Sequence, residues 1–222
     1  MKRPVIVGLL SFNGGFVDTT GFIGLQGLFT AHVTGNLVTA GYALVFGTHG
    51  ITAKLIALPE FVIVIALARL IGASLRAANL PALRLLLGTK VLLLLAFFVL
   101  AVRFGPFPDS DSPLALLTGF AGIAAMAVQN AVQRVHFAAL PATTLMTGNT
   151  TQATLDVVDL VTGAAGEQTA AVRARLFRTL TGLVAFAAGC AAAALLYAAI
   201  GFWCLALPVL VGAASAIIQV DD

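Results

Sequence analysis

Asp18 is the residue of this chain whose position most demands chemistry. It stands in Gly14-Gly-Phe-Val-Asp-Thr-Thr-Gly-Phe-Ile-Gly24, near the middle of an apolar, glycine-rich run. A charged group at the centre of a bilayer costs at least about 2.5–3.5 kcal/mol on insertion scales, so a carboxylate there must be protonated, paired or turned toward water. Arg69, at matching depth in the next apolar run, is its expected partner. Such a pair either supports the fold or forms an ion or proton site.

A second signal is a repeat. Thr30-Ala-His-Val-Thr34-Gly35-Asn36 aligns with Thr143-Thr-Leu-Met-Thr147-Gly148-Asn149. Glycine tolerates the backbone angles that end one element, and asparagine is a favoured N-cap whose side chain accepts from a free amide of the next turn. Each triplet is therefore expected to start a short helix. Gln152, three residues beyond Asn149, has capping-box spacing. If these ends face a polar cavity, their free amides could hold an anionic group or order a solute. The alternative is that both triplets only start helices.

The third signal is the set Met126, Gln129, Asn130, Gln133 and Arg134, whose spacings of three and four place most of the polar groups on one stripe of a helix. That stripe is expected to face the interior, for interhelical hydrogen bonding or for solute contact. The candidate substrate- or ion-binding set is thus Asp18, Thr34, Asn36, Arg69, Gln129, Asn130, Thr147 and Asn149. Other polar residues have ordinary readings. Glu60 after Pro59 reads as helix-start chemistry, and His32, His49 and His136 as loop or interface residues. Trp203 is expected to anchor at an interface, and Cys190 and Cys204 to pack as small apolar residues.

The elements that must position these groups follow from composition. With 60% hydrophobic and 9% charged residues, the chain could not cover a soluble surface. Its apolar runs approach the roughly 20 residues that cross a hydrocarbon core of about 30 Å, and barrel-strand alternation is absent. Spans are expected near 5–28, 59–77, 85–103, 113–133, 177–198 and 202–218. No small-x-small cleavage site follows Met1-Lys2-Arg3, so the first span is expected to stay in the mature chain. Lys2, Arg3, Arg76, Arg84, Lys90, Arg134, Arg173, Arg175 and Arg178 mark one side as cytoplasmic, while Asp109 and Asp111 mark the other. Lys54, in an outer segment, is an exception.

Both termini then lie inside. Three spans per half make the expected fold all-α: a polytopic transmembrane bundle of about six spans, built as two inverted three-helix repeats, 1–104 and 113–222, within one membrane domain. Residues 37–48 are expected to dip into the membrane, and 150–163, with Asp156 and Asp159, to lie amphipathically at the inner surface.

On Gly15-x-x-Asp18, Phe29-Thr-Ala-His-Val-Thr-Gly-Asn36, Gln129-Asn130 and Thr144-x-x-Thr147-Gly148-Asn149, the chain resembles the YoaK family of small bacterial multispanning membrane proteins. That resemblance implies an inner-membrane protein and brings no substrate or reaction with it. The second half has Asn130 or Ala131 where Asp18 would align, so any site is expected to be asymmetric.

A secondary carrier is favoured, because inverted repeats, interrupted helices and a midplane carboxylate are parts of alternating access. A passive channel and a non-transporting assembly or partner protein are the alternatives. The expected partners are the lipid bilayer and a small solute, with proton coupling through Asp18; close helix contacts also allow an oligomer. No cofactor, metal or nucleic acid is expected. Without a nucleophile motif, a phosphate-cradling loop or a metal-ligand grouping, an enzyme is not expected either.

Overall fold

The computed structural model describes residues 2–218, and all the regular structure there is helical. The expected second repeat's last residues, 219–222, lie outside the described residues, as do the side chains of Lys2 and Arg3. Eight α-helices follow one another: α1 Lys2–Gly24, α2 Gly35–Phe46, α3 Ile51–Ala77, α4 Ala82–Phe104, α5 Pro113–His136, α6 Met146–Thr162, α7 Thr169–Ile200 and α8 Ala206–Ile217. Short 3-10 turns precede α7 and α8. Five helical stretches are long and apolar enough to cross a membrane: Val5–Gly24, Ile51–Ala77, Ala82–Phe104, Pro113–His136 and Gly166–Ile217, the last holding both α7 and α8.

Several boundaries differ from the sequence expectation for identifiable reasons. α3 begins at Ile51, so Pro59 and Glu60 lie inside the helix and not at its start. Its first turn is satisfied from outside, where the Asp111 carboxylate accepts from the Ala53 amide at 2.8 Å and the Thr52 amide at 3.4 Å. α7 begins at Thr169 because Arg173, Arg175 and Arg178 interrupt the hydropathy without interrupting the helix. The sixth span, expected over 202–218, is a 3-10 turn followed by the 12-residue α8. At 1.5 Å per residue α8 covers only about 18 Å by itself. Lys90 is a further correction: it is fully buried within α4, so it is a core residue and not a loop charge that reports topology.

The bundle is held by α1 against α7, α3 against α5, and α4 against α5 and α8, with α1 also touching α8; α2 rests on α3 and α6 on α7. The α1–α7 crossing is closest at glycine. A Cβ on Gly15 would land on the Phe186 carbonyl, and one on Gly189 would land on the Phe12 carbonyl. Such small-residue approaches let backbones meet where lipid offers no hydrophobic drive between helices. The outward faces are apolar: Val62, Ile63, Leu67 and Leu70 on α3, and Val184 and Leu195 on α7, are all exposed. On a chain of this composition those faces belong against lipid. Trp203 is also exposed, with its ring edge-on to Phe98.

Candidate functional site

The two segments that lead into α2 and α6 both fold back along the helix before them. After α1 ends at Gly24, the chain returns so that the Asp18 Oδ1 accepts from the amides of Thr30 (2.8 Å), Ala31 (2.7 Å) and His32 (3.3 Å). Asp18 lies six residues before the end of α1, so the loop descends about 9 Å beside the helix. Its Oδ2 accepts from the His32 ring, Nδ1 to Oδ2 2.6 Å. A carboxylate only accepts, so His32 Nδ1 carries the proton in that bond.

The Asp18–Arg69 pair expected from depth and charge is absent; His32 and three backbone amides take the carboxylate instead. Oriented backbone amides, invisible to a side-chain reading, win because they lie within the same buried turn.

The second half repeats the manoeuvre with neutral groups. Thr144 Oγ1 donates to Asn130 Oδ1 at 2.8 Å, and Gln129 Nε2 donates to Thr143 Oγ1 at 3.1 Å and to the Leu10 carbonyl at 2.9 Å. Asn130 stands six residues before the end of α5, matching Asp18 in α1. Gln133 Nε2 reaches the Phe137, Leu140 and Pro141 carbonyls and fixes the rest of this loop. The polar stripe therefore divides: Met126, Gln129 and Gln133 are buried, whereas Asn130 and Arg134 reach a cavity.

The asparagines of the two triplets do not cap. α2 starts at Gly35 with Thr34 at the N-cap, and α6 starts at Met146, so Asn36 and Asn149 both lie within the first turn or so of their helices. Each instead reaches back seven residues. Asn36 Nδ2 donates to the Phe29 carbonyl and its Oδ1 accepts from the Phe29 amide, both at 2.8 Å; Asn149 Nδ2 donates to the Ala142 carbonyl at 2.6 Å. The triplets lock the folded-back loops. Gln152 donates to Asp156 at 2.7 Å and makes no capping box, and Asp156 is fully buried against Arg175 of α7. That guanidinium holds the Asp156 carboxyl below the usual carboxylate range.

Because both loops descend before their helices begin, α2 and α6 start inside the bundle. α2, 12 residues long, runs about 18 Å from there, and its outer face carries Val38, Tyr42, Val45 and Phe46. α6 exposes Leu155, Val158 and Val161 toward its C-terminal end, and Thr147, Thr150, Thr151 and Thr154 on the turns before them.

The two loop corners meet at a cavity of about 340 Å³ between α3 and α5. One corner contributes Ala31 to Thr34 and the other Leu145; Leu58, Phe61, Ile65 and Arg69 of α3 form one wall, and Asn130, Ala131, Arg134 and Val135 of α5 form the other. Of the eight expected site residues, Thr34, Arg69 and Asn130 line this space. Asp18, Asn36, Gln129 and Asn149 stand behind it and hold its corners. Thr147 lies elsewhere, on an α6 face with Thr150, Thr151 and Thr154. His32 and the apolar wall were not among the expected site residues; the placement of His32 between Thr30 and Thr34 was the available signal.

Lys54, the exception to the charge pattern, is buried and donates to the His49 carbonyl at 3.2 Å, which gives it a local structural role.

Neither curated proteins nor solved structures offer a match to the chain. The family described as DUF1275, protein of unknown function, matches residues 6–218, and this chain belongs to it.

Proposed function

We propose that this multi-pass membrane protein is a secondary carrier for a small solute, which binds in the cavity between α3 and α5. One observation carries the reading: folded-back loops from both halves of the chain, each opening a short helix, converge on the same cavity. Interrupted helices meeting near the midplane at a repeat interface are a recurring architecture of carriers.

The packing supports two repeats, 1–104 and 113–222, each now read as three long elements and one short. Exchanging α1, α2, α3 and α4 for α5, α6, α7 and the final 3-10 turn with α8 turns every helix contact into another that exists. α1 on α7 becomes α5 on α3, α2 on α3 becomes α6 on α7, and α4 on α5 becomes α8 on α1. The YoaK resemblance lies within the matched family and supports a bacterial inner-membrane location; the distribution of basic residues supports cytoplasmic termini.

A carrier is favoured over a continuous pore by the buried apolar cluster of Val17, Leu25, Leu28, Val33, Ala57, Phe107 and Ala115, packed around the outer loop corner. No catalytic step is needed to account for the site.

The test is a screen of solute uptake into liposomes with and without a proton gradient, repeated with Ile65→Trp to fill the cavity. Saturable uptake that Ile65→Trp abolishes is expected. Uptake unaffected by that substitution, or no uptake of any solute, would defeat the carrier reading. Side-specific thiol labelling checks the topology, using Pro108→Cys and Ala164→Cys in a chain without Cys190 and Cys204. The two sites should label from opposite faces. Pro108 serves better than the adjacent Ser110, which is buried.

A further inference from the structure

We propose that the cavity binds a small organic carboxylate with a short apolar tail; this deepens the carrier reading and rests on it for the cavity's role. Two guanidiniums line the space, Arg69 from α3 and Arg134 from α5, and neither makes a hydrogen bond or ion pair among the described residues. The acid nearest to them by sequence expectation, Asp18, does not line the cavity: its two oxygens are occupied by the Thr30, Ala31 and His32 amides and by the His32 ring. No Asp or Glu lines the cavity; the two arginines line it together with His32, whose ring is bonded to Asp18 and so is already partnered.

Guanidinium presents a planar fork of donors that matches a carboxylate bidentately, and it stays charged under all ordinary conditions. Asn130 adds a neutral polar group. Its Oδ1 accepts from Thr144 and its Nδ2 donates to the Met126 carbonyl, so it borders the site already oriented.

The remaining wall selects for a tail. Val33, Leu58, Phe61, Ile65 and Leu145 form an apolar surface running away from Arg69 along α3. Leu58 and Arg69 are eleven residues apart on one helix, which separates the apolar end from the charged end by about 16 Å. A solute charged throughout would leave that wall unmatched, and a neutral apolar one would leave both guanidiniums without a partner. At about 340 Å³ the space falls near the small end of the roughly 300–1,000 Å³ range of ligand pockets, which favours a few carbons over a long acyl chain. Both arginines lie in the C-terminal parts of α3 and α5, at one end of the cavity's apolar wall.

The experiment is calorimetric titration of the purified full-length protein in detergent with linear monocarboxylates of two to eight carbons, against the primary amides and amines of equal length. Carboxylates of intermediate length should bind, with the amides weaker by about 10-fold or more, the scale of a lost charge-assisted hydrogen bond. Arg69→Gln and Arg134→Gln should each weaken carboxylate binding by a similar factor while the unfolding temperature stays near that of the parent, because both side chains are largely exposed and make no hydrogen bond or ion pair among the described residues. Arg69→Lys, which keeps the charge but not the fork, should fall between.

Equal or tighter binding of amides or amines, no binding of any carboxylate, or unchanged affinity in both arginine variants would each overturn the proposal. Flux separates the two readings. Carboxylates that bind without being transported in liposomes leave the anion site standing and remove the carrier; saturable flux of amines that Ile65→Trp blocks does the reverse.

Discussion

Replacing Asp18 tests whether the folded-back loop is held by acceptor geometry or by charge. Asp18→Ala removes the one side-chain acceptor, among the described residues, of the Thr30 and Ala31 amides, bonded at 2.8 and 2.7 Å, and of the His32 ring at 2.6 Å. Thr30 and Ala31 are buried, so water cannot replace the lost partner without opening the loop. Each orphaned buried amide costs about 1–3 kcal/mol, and with the ring bond the loss is roughly 3–6 kcal/mol after allowing for partial relaxation. Asp18→Asn keeps an oxygen for the amides and should cost only about 1–2 kcal/mol. For a chain of this length, 1 kcal/mol corresponds to about 2–4 °C, so Asp18→Ala should lower the unfolding temperature by roughly 10 °C and Asp18→Asn by less than half of that.

The assay is thermal unfolding in detergent with a thiol-reactive dye in a Cys190→Ala background, so that the signal reports exposure of the buried Cys204. Arg69→Ala should be nearly neutral in the same assay, since Arg69 does not touch Asp18. If Asp18→Asn proves as damaging as Asp18→Ala, charge and not acceptor geometry holds the loop. If Asp18→Ala is silent, the loop is not tethered there.

Three further outcomes follow from the geometry. Asn36→Ala loses both bonds to Phe29 and should cost about 2–4 kcal/mol, against about 1–2 kcal/mol for Asn149→Ala, which loses one bond to the Ala142 carbonyl and a weak one to the Met146 sulfur; the same melting assay ranks them. Gly189→Ala drives a methyl into the Phe12 carbonyl and should cost at least about 1–3 kcal/mol, whereas Gly148→Ala meets open space and should be neutral or stabilising by up to about 1 kcal/mol. Arg175 depresses Asp156, so the pair's contribution is complete above the ordinary carboxylate value of about 3.9 and is lost as pH falls through the lower folded value. Melting temperature measured against pH should therefore drop more steeply in acid for the parent than for Asp156→Asn, which should start about 1–3 kcal/mol less stable at neutral pH.

Hydropathy was enough to read an all-helical membrane chain, and five of the expected spans lie within α1, α3, α4, α5 and α7 apart from a few end residues. Where charges or proline interrupt an apolar run, hydropathy misplaced the ends. Pro59 reads as a helix start, yet the helix continues through it because Asp111 satisfies the true first turn eight residues earlier. The repeated triplet marked the right places for the wrong reason. Asn36 and Asn149 have the residue type of a cap, but their partners lie seven residues upstream, in loops whose depth no local pattern specifies. Asp18 was legible as a buried carboxylate, while its partners were not, since three of them are backbone amides common to every sequence. Arg69 and Arg134 were legible singly; that they line one cavity from opposite walls depends on how α3 meets α5.

The glycine contact of α1 with α7 has a mechanical consequence. With carbonyls packed where side chains would otherwise cushion the approach, those two helices have almost no compressible material between them and behave as a keel for the molecule. α3, by contrast, is bare over most of its outer surface and rests on α5 across a hollow. On the carrier proposal, the motion that empties that hollow would be borne by α3 swinging against this frame, and stiffening α3 would slow turnover.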